Sequence, residues 1–236
     1  MKMQEVKYKK TNINKKKYIY NYLDIGLRMP FLRYIIDNLN MNCLLVGYRG
    51  YGKSEGIPSE LGLKIDGEAI SNFAFEYNEI SNNYIDKKNI YLFGRSLGGA
   101  VAIHVAVNCN FKFKGIIIEN TFSSMGDLVD QLYPILIYFR KYLLKSNWDS
   151  KSIISKIKFP VLFCRSEKDE LIPKSQMDLL FNLTNNCKFK DYYVIKNGNH
   201  NEGYISDMNG YANALNNFFK KCEDDYSDDN EVKKDK

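Results

Sequence analysis

The stretch Ile90-Tyr91-Leu92-Phe93-Gly94-Arg95-Ser96-Leu97-Gly98-Gly99-Ala100-Val101-Ala102-Ile103 constrains the fold more than any other part of the chain. An apolar run rich in β-formers turns at glycines and resumes with Ala, Leu and Val at helical spacing, which predicts strand, sharp turn and helix with Ser96 at the apex. Such an apex strains the backbone of its residue and lifts the side-chain oxygen above the end of a sheet. Gly94 and Gly98 lack the Cβ atoms that would collide across the turn, and Gly99 lets the helix pack closely. The backbone N–H of Leu97, in the helix's first turn, is then free to face a developing oxyanion. G-x-S-x-G alone recurs by chance, so the weight falls on its context.

That context is an alternation of helical patterns with short apolar strands. A weak strand pattern at 17–23 precedes a helix at 29–39, and Cys43, Leu44, Leu45 and Val46 form a continuously apolar run suited to a central parallel strand. A glycine-punctuated loop follows at 48–56; it lacks the G-x-x-x-x-G-K spacing of a phosphate-binding loop. Asp66 is expected to cap the next helix, with Ala69, Ile70, Phe73, Ala74, Tyr77 and Ile80 on its apolar stripe. Strands at 115–119, 159–164 and 189–195 continue the rhythm, with helices at 174–183 and 204–222. The alternation specifies an α/β fold, a doubly wound and mostly parallel sheet in a single domain of 18–222. Between 121 and 148 the rhythm breaks into an amphipathic excursion. It reads either as a small helical cap over the crevice, offering apolar surface to an acyl chain, or as an ordinary core helix.

The net charge of +6 is concentrated in lysines at the N-terminus, whereas acidic residues crowd 223–236. Residues 1–17 are expected to be a basic arm, solvated or in peripheral contact with a membrane, and 223–236 a disordered tail. No aromatic-plus-basic RNA motif or zinc-finger spacing occurs, so no nucleic-acid partner is expected. The five cysteines, odd in number and widely spaced, read as reduced thiols of a cytoplasmic or cytosol-facing protein. No signal peptide is visible, and the longest apolar run, 132–144, is too interrupted to span a bilayer.

A serine hydroxyl needs a positioned base, and the base needs a carboxylate to fix its tautomer. Ser96, Asp169 and His200 follow three separate predicted strands in the order nucleophile, acid, histidine. The chain has two histidines, and His104 lies in the helix after Ser96, where packing or solvent accounts for it. Glu167 and Glu170 rival Asp169 as the acid, and Asp191 is a weaker rival because it opens a strand.

The loop Tyr48-Arg49-Gly50-Tyr51-Gly52-Lys53-Ser54-Glu55-Gly56, the elbow Gly94-Arg95-Ser96-Leu97-Gly98-Gly99, the run Glu119-Asn120-Thr121-Phe122-Ser123-Ser124 and His200-Asn201 together resemble serine hydrolases of the α/β-hydrolase superfamily. The similarity is greatest to the bud-emergence-protein-like branch, over about 25–219. The resemblance implies Ser96 as nucleophile, Asp169 as acid, His200 as base and the Leu97 N–H as one oxyanion donor. It implies ester or thioester substrates on lipids or acylated proteins; no metal or cofactor is implied, and a monomer is expected. Relatives carry a His-Gly-Asn turn that supplies a second oxyanion donor; by register it falls at 19–24, which makes Tyr20 the expected donor although the His and Gly are replaced. Relatives also begin with further strands and often a membrane-anchoring helix, so this chain is expected to be N-terminally shortened, by truncation or a missed first exon. The competing expectation is a catalytically silent member that keeps the fold as a lipid-binding or interaction module.

Overall fold

The structure, a computed structural model, describes residues 3–6, 18–22, 25–39, 41–80, 86–138 and 144–231. In chain order its strands are β1 (Met3–Val6), β2 (Tyr18–Tyr22), β3 (Asn42–Val46), β4 (Ile90–Arg95), β5 (Gly115–Glu119), β6 (Val161–Ser166) and β7 (Lys190–Ile195). They form one sheet in the order β1-β3-β2-β4-β5-β6-β7, parallel throughout except for β1 against β3. The helices are α1 (Ile25–Leu39), α2 (Glu60–Ile80), α3 (Leu97–Asn108), α4 (Met125–Leu132), α5 (Lys174–Leu183), α6 (Gly203–Ser206) and α7 (Met208–Glu231).

Successive strand residues point to opposite faces, and both faces are apolar because both are covered. Ile90 and Leu92 of β4, with Ile116 and Ile118 of β5, join the core beneath α2, α3 and α5. Tyr91, Phe93 and Ile117 join the opposite core, with α1 and α7. Truncating one of these fully buried side chains, such as Phe93, costs about 3–5 kcal/mol.

The connection from β2 through α1 to β3 runs toward one edge, and the next, through α2, passes back over β2 to reach β4. The strand order therefore reverses between β2 and β4. In open α/β sheets the crevice at such a reversal, outside the carboxyl ends of the strands, is where ligands bind. Ser96 follows the last residue of β4 at that place.

Several expectations are corrected. Met3–Val6, inside the expected basic arm, pairs with β3 as an edge strand, Met3 opposite Val46; residues 1–2 and 7–17 of the arm lie outside the described residues. Asp66 does not cap α2: the helix begins at Glu60, and Ser59 caps it by accepting from the Gly62 N–H at 3.1 Å. Helix α7 runs on to Glu231, through most of the expected disordered tail, of which 232–236 lie outside the described residues. In the expected cap, α4 stops at Leu132 because Pro134 disfavours helical backbone at Tyr133. A short 3-10 helix follows at Pro134–Tyr138, and 139–143 lie outside the described residues. All five cysteines are free thiols. Among the described residues no helix is long and apolar enough to cross a membrane.

Candidate active site

Ser96 occupies the turn between β4 and α3 with φ 54° and ψ −126°, a conformation an L-residue adopts only when its surroundings impose it. The surroundings are hydrogen bonds at both ends of the residue. Its N–H donates to the Glu119 carbonyl at 3.0 Å, while its own carbonyl accepts from Thr121 Oγ1 at 2.6 Å and from the Gly99 N–H at 2.9 Å. The glycines make the turn possible: a Cβ on Gly94 would sit 2.3 Å from the Gly98 carbonyl oxygen, and one on Gly99 would sit 2.6 Å from Thr121 Cβ. Leu97 is the first residue of α3, so its N–H has no acceptor within the helix and is available at the crevice.

The loops after β6 and β7 bring an acid and a histidine together. His200 Nδ1 lies 2.8 Å from Asp169 Oδ2 and 3.0 Å from Oδ1, with both side chains almost wholly buried. Asp169 Oδ1 also accepts from the Leu171 and Ile172 N–H groups at 2.9 and 2.8 Å, which holds the carboxylate in place. The rival acids are engaged elsewhere. Glu167 accepts from the Asn197 N–H, Glu170 from the His200 N–H, and Asp191 from Lys221. His104 pairs with Glu68 at 2.7 Å on the outer side of α3. Among the described residues no hydrogen bond joins Ser96 Oγ to His200; such bonds are often long in ligand-free sites and tighten on substrate.

The expected second oxyanion donor is misplaced. Tyr20 lies inside β2, opposite Leu44 on one side and Leu92 on the other, so its peptide belongs to the ladder and not to a turn. The β-forming run Tyr18-Ile19-Tyr20-Asn21-Tyr22 keeps the chain extended through Tyr22. Residues 23–24, the rest of the expected turn, lie outside the described residues.

The run Glu119-Asn120-Thr121, to which the sequence alone assigns no role, anchors a buried network beneath the site. Arg95 is wholly buried and its Nε lies 2.5 Å from Glu119 Oε1, while Glu119 Oε2 accepts from the Tyr211 hydroxyl of α7 at 2.5 Å. Burial, then the Glu119 charge, pushes the Tyr211 phenol well above its ordinary pKa, so it remains a donor. The Arg95 guanidinium also stacks over Phe31, 4.8 Å from the ring centre. The readable signal was polar residues at strand ends inside an otherwise apolar run.

On the other side of the crevice, the loop after β3 is tied down by Arg49, whose guanidinium and backbone N–H all donate to Asp66. The 3-10 turn after α4 exposes its apolar side chains, with Ile135 78% and Tyr138 81% exposed. Among the described residues no group of His, Cys, Asp or Glu is arranged to hold a metal ion.

No protein-family model matches the chain. Protein bem46 of Schizosaccharomyces pombe is 37% identical over 196 residues, which cover 83% of this chain and 63% of that protein. The alpha/beta hydrolase domain-containing protein WAV2 of Arabidopsis thaliana is 34% identical over 169 residues, 67% of this chain and 53% of WAV2. The chain belongs to the α/β-hydrolase superfamily, in its Bem46-like branch. This α/β-hydrolase spans only 53–63% of the length of those two relatives. The Pyrococcus furiosus esterase Pf2001 has the same fold, with a TM-score of 0.66 at 15% identity over 89% of this chain and 85% of that one.

Proposed function

We propose that this α/β-hydrolase is a serine hydrolase of carboxylic ester or thioester bonds, with Ser96 as nucleophile, His200 as general base and Asp169 as the acid that orients it. The observation that carries this reading is the buried His200–Asp169 pair at 2.8 Å on the sheet edge that also presents the strained Ser96 elbow. With the Asp169 carboxylate as acceptor, His200 Nδ1 carries the proton and Nε2 is left as the base. Ser96 Oγ attacks the acyl carbon as Nε2 takes its proton, and the oxyanion of the tetrahedral intermediate faces the Leu97 N–H. The imidazolium returns the proton to the leaving alcohol or thiol, and water, deprotonated in turn by His200, releases the acyl group and restores Ser96.

The exposed apolar 3-10 turn supports lipid or acylated-protein substrates over small polar esters. Peripheral membrane contact through the N-terminal lysines belongs to the same reading. Its test must keep β1, so Lys7, Lys9, Lys10, Lys15, Lys16 and Lys17 are changed to Gln; unchanged flotation with anionic vesicles rules the arm out as the anchor.

The hydrolase reading is tested by labelling the purified protein with a fluorophosphonate, which reacts only with an activated serine. Labelling that vanishes in Ser96→Ala and His200→Ala supports it. No labelling of the folded protein overturns it and leaves a fold-retaining binding module.

A further inference from the structure

Three side chains outside the proposed triad converge on the backbone of His200 and Asn201. Glu170 Oε2 accepts from the His200 N–H at 3.0 Å, Asn120 Nδ2 donates to the His200 carbonyl at 3.1 Å, and Arg95 Nη1 donates to the next carbonyl, that of Asn201, at 2.7 Å. They reach it from three elements: the loop after β6, the end of β5 and the end of β4.

Asn120 and Arg95 are wholly buried, and neither position is an easy one to fill. Asn120 holds φ 45°, uncommon for a residue with a side chain. Its amide is also committed to the end of β6, accepting from the Ser166 N–H at 2.7 Å and donating to Ser166 Oγ at 2.9 Å, which fixes which way the amide points. Arg95 takes a guanidinium out of water and needs Glu119 beside it. Replacing a buried ion pair by apolar residues of similar volume is often neutral or stabilising, so fold stability alone gives little reason for this one.

We propose that Arg95 and Asn120 are positioning residues for the general base: they clamp the His200 peptide so that its ring meets Asp169 while facing Ser96. Glu119 and Tyr211 hold Arg95 at the correct reach. The same end of β5 grips the elbow, through the Glu119 carbonyl and Thr121 Oγ1, so nucleophile and base are referenced to one rigid segment. The proposal rests on the reading of His200 as base.

The test uses the full chain. Asn120→Gly removes the amide at a position where glycine accepts the backbone without strain. The pair Arg95→Met with Glu119→Gln removes the clamp's other arm without leaving a buried charge alone, and Arg95→Lys is the conservative variant. Two readouts are taken on variants that keep the wild-type circular dichroism spectrum: the second-order rate of fluorophosphonate labelling, and the NMR resonance of the His200 ring proton shared with Asp169, assigned readily in a chain with two histidines. The clamp predicts labelling slowed on the order of 10- to 100-fold in Asn120→Gly and in Arg95→Met/Glu119→Gln, with most of the rate restored in Arg95→Lys. It also predicts that this resonance moves upfield, because a loosened pairing with Asp169 lengthens the hydrogen bond. Folded variants that label within twofold of wild type and keep the resonance in place overturn the proposal. If wild type itself does not label, the hydrolase reading fails, and the His200 resonance alone decides the clamp: moved supports it, unmoved overturns it. If the double variant does not fold, Asn120→Gly carries the test.

Discussion

Asp169 Oδ2 stands 2.8 Å from His200 Nδ1, and the two side chains are 3% and 4% exposed. Shielded from water, that hydrogen bond selects one imidazole tautomer and stabilises its cation more than a surface pair would. Asp169→Asn would present the wrong partner to Nδ1. It is expected to lower kcat on the order of 10⁴-fold with a chromogenic ester while leaving the protein folded. Asp191, the weaker rival acid, is tied to Lys221, and Asp191→Asn is expected to stay within twofold of wild type. The reverse ranking of the two variants would remove Asp169 from the acid role.

The elbow tolerates no side chain at Gly94. A Cβ there would sit 2.3 Å from the Gly98 carbonyl oxygen and 2.7 Å from Gly99 Cα, both backbone atoms that cannot rotate away. Gly94→Ala is therefore expected to destabilise the fold by about 3 kcal/mol, the upper end of ordinary overpacking. In a chain of this size that lowers Tm by roughly 10 °C in a thermal melt. A Tm within 2 °C of wild type contradicts the close approach.

The parts of this site legible in the sequence were those encoded locally. Strand β4, the Ser96 turn and α3 follow from one contiguous pattern, and His200 stood out because histidine is scarce. The contacts that organise them are not local. Arg95 meets a carbonyl 106 residues away and Tyr211 meets a carboxylate 92 residues away, separations that no periodicity encodes. A helix-capping aspartate and an arginine partner look alike in sequence, so Asp66 reads as a cap although it pairs with Arg49 and the cap is Ser59, one residue before Glu60. Tyr20 lies in a run whose β-propensity keeps it extended, where the resemblance implies a turn.

The Asp66–Arg49 contact makes the loop after β3 sensitive to acid. Burial by itself would raise the Asp66 carboxyl, but hydrogen bonds from the Arg49 guanidinium and N–H, with the Arg49 charge, hold it below the usual carboxylate range. A depressed folded-state pKa adds stability that is complete above the unfolded value of about 3.9 and is lost as pH falls through the folded value. The difference in urea midpoint between wild type and Asp66→Asn is thus expected to be large at pH 7 and smaller at pH 3. An equal difference at both pH values would show that the ion pair does not carry the contact.

The apolar turn after α4 offers a test of substrate class. Ile135 and Tyr138 are three residues apart in a 3-10 helix, so their side chains share one face, and both are largely exposed. An acyl chain laid against that face would cover apolar surface on both partners, and covering one such side chain is worth about 1.5–3 kcal/mol. Replacing both by serine is therefore expected to lower kcat/KM for a long-chain p-nitrophenyl ester at least about tenfold, through KM. An acetyl ester has no chain to lay against that face, so its kcat/KM should stay within twofold of wild type. A parallel loss on both esters would mean that the turn supports the fold or the triad, and an unchanged long-chain rate would mean that the acyl group lies elsewhere in the crevice.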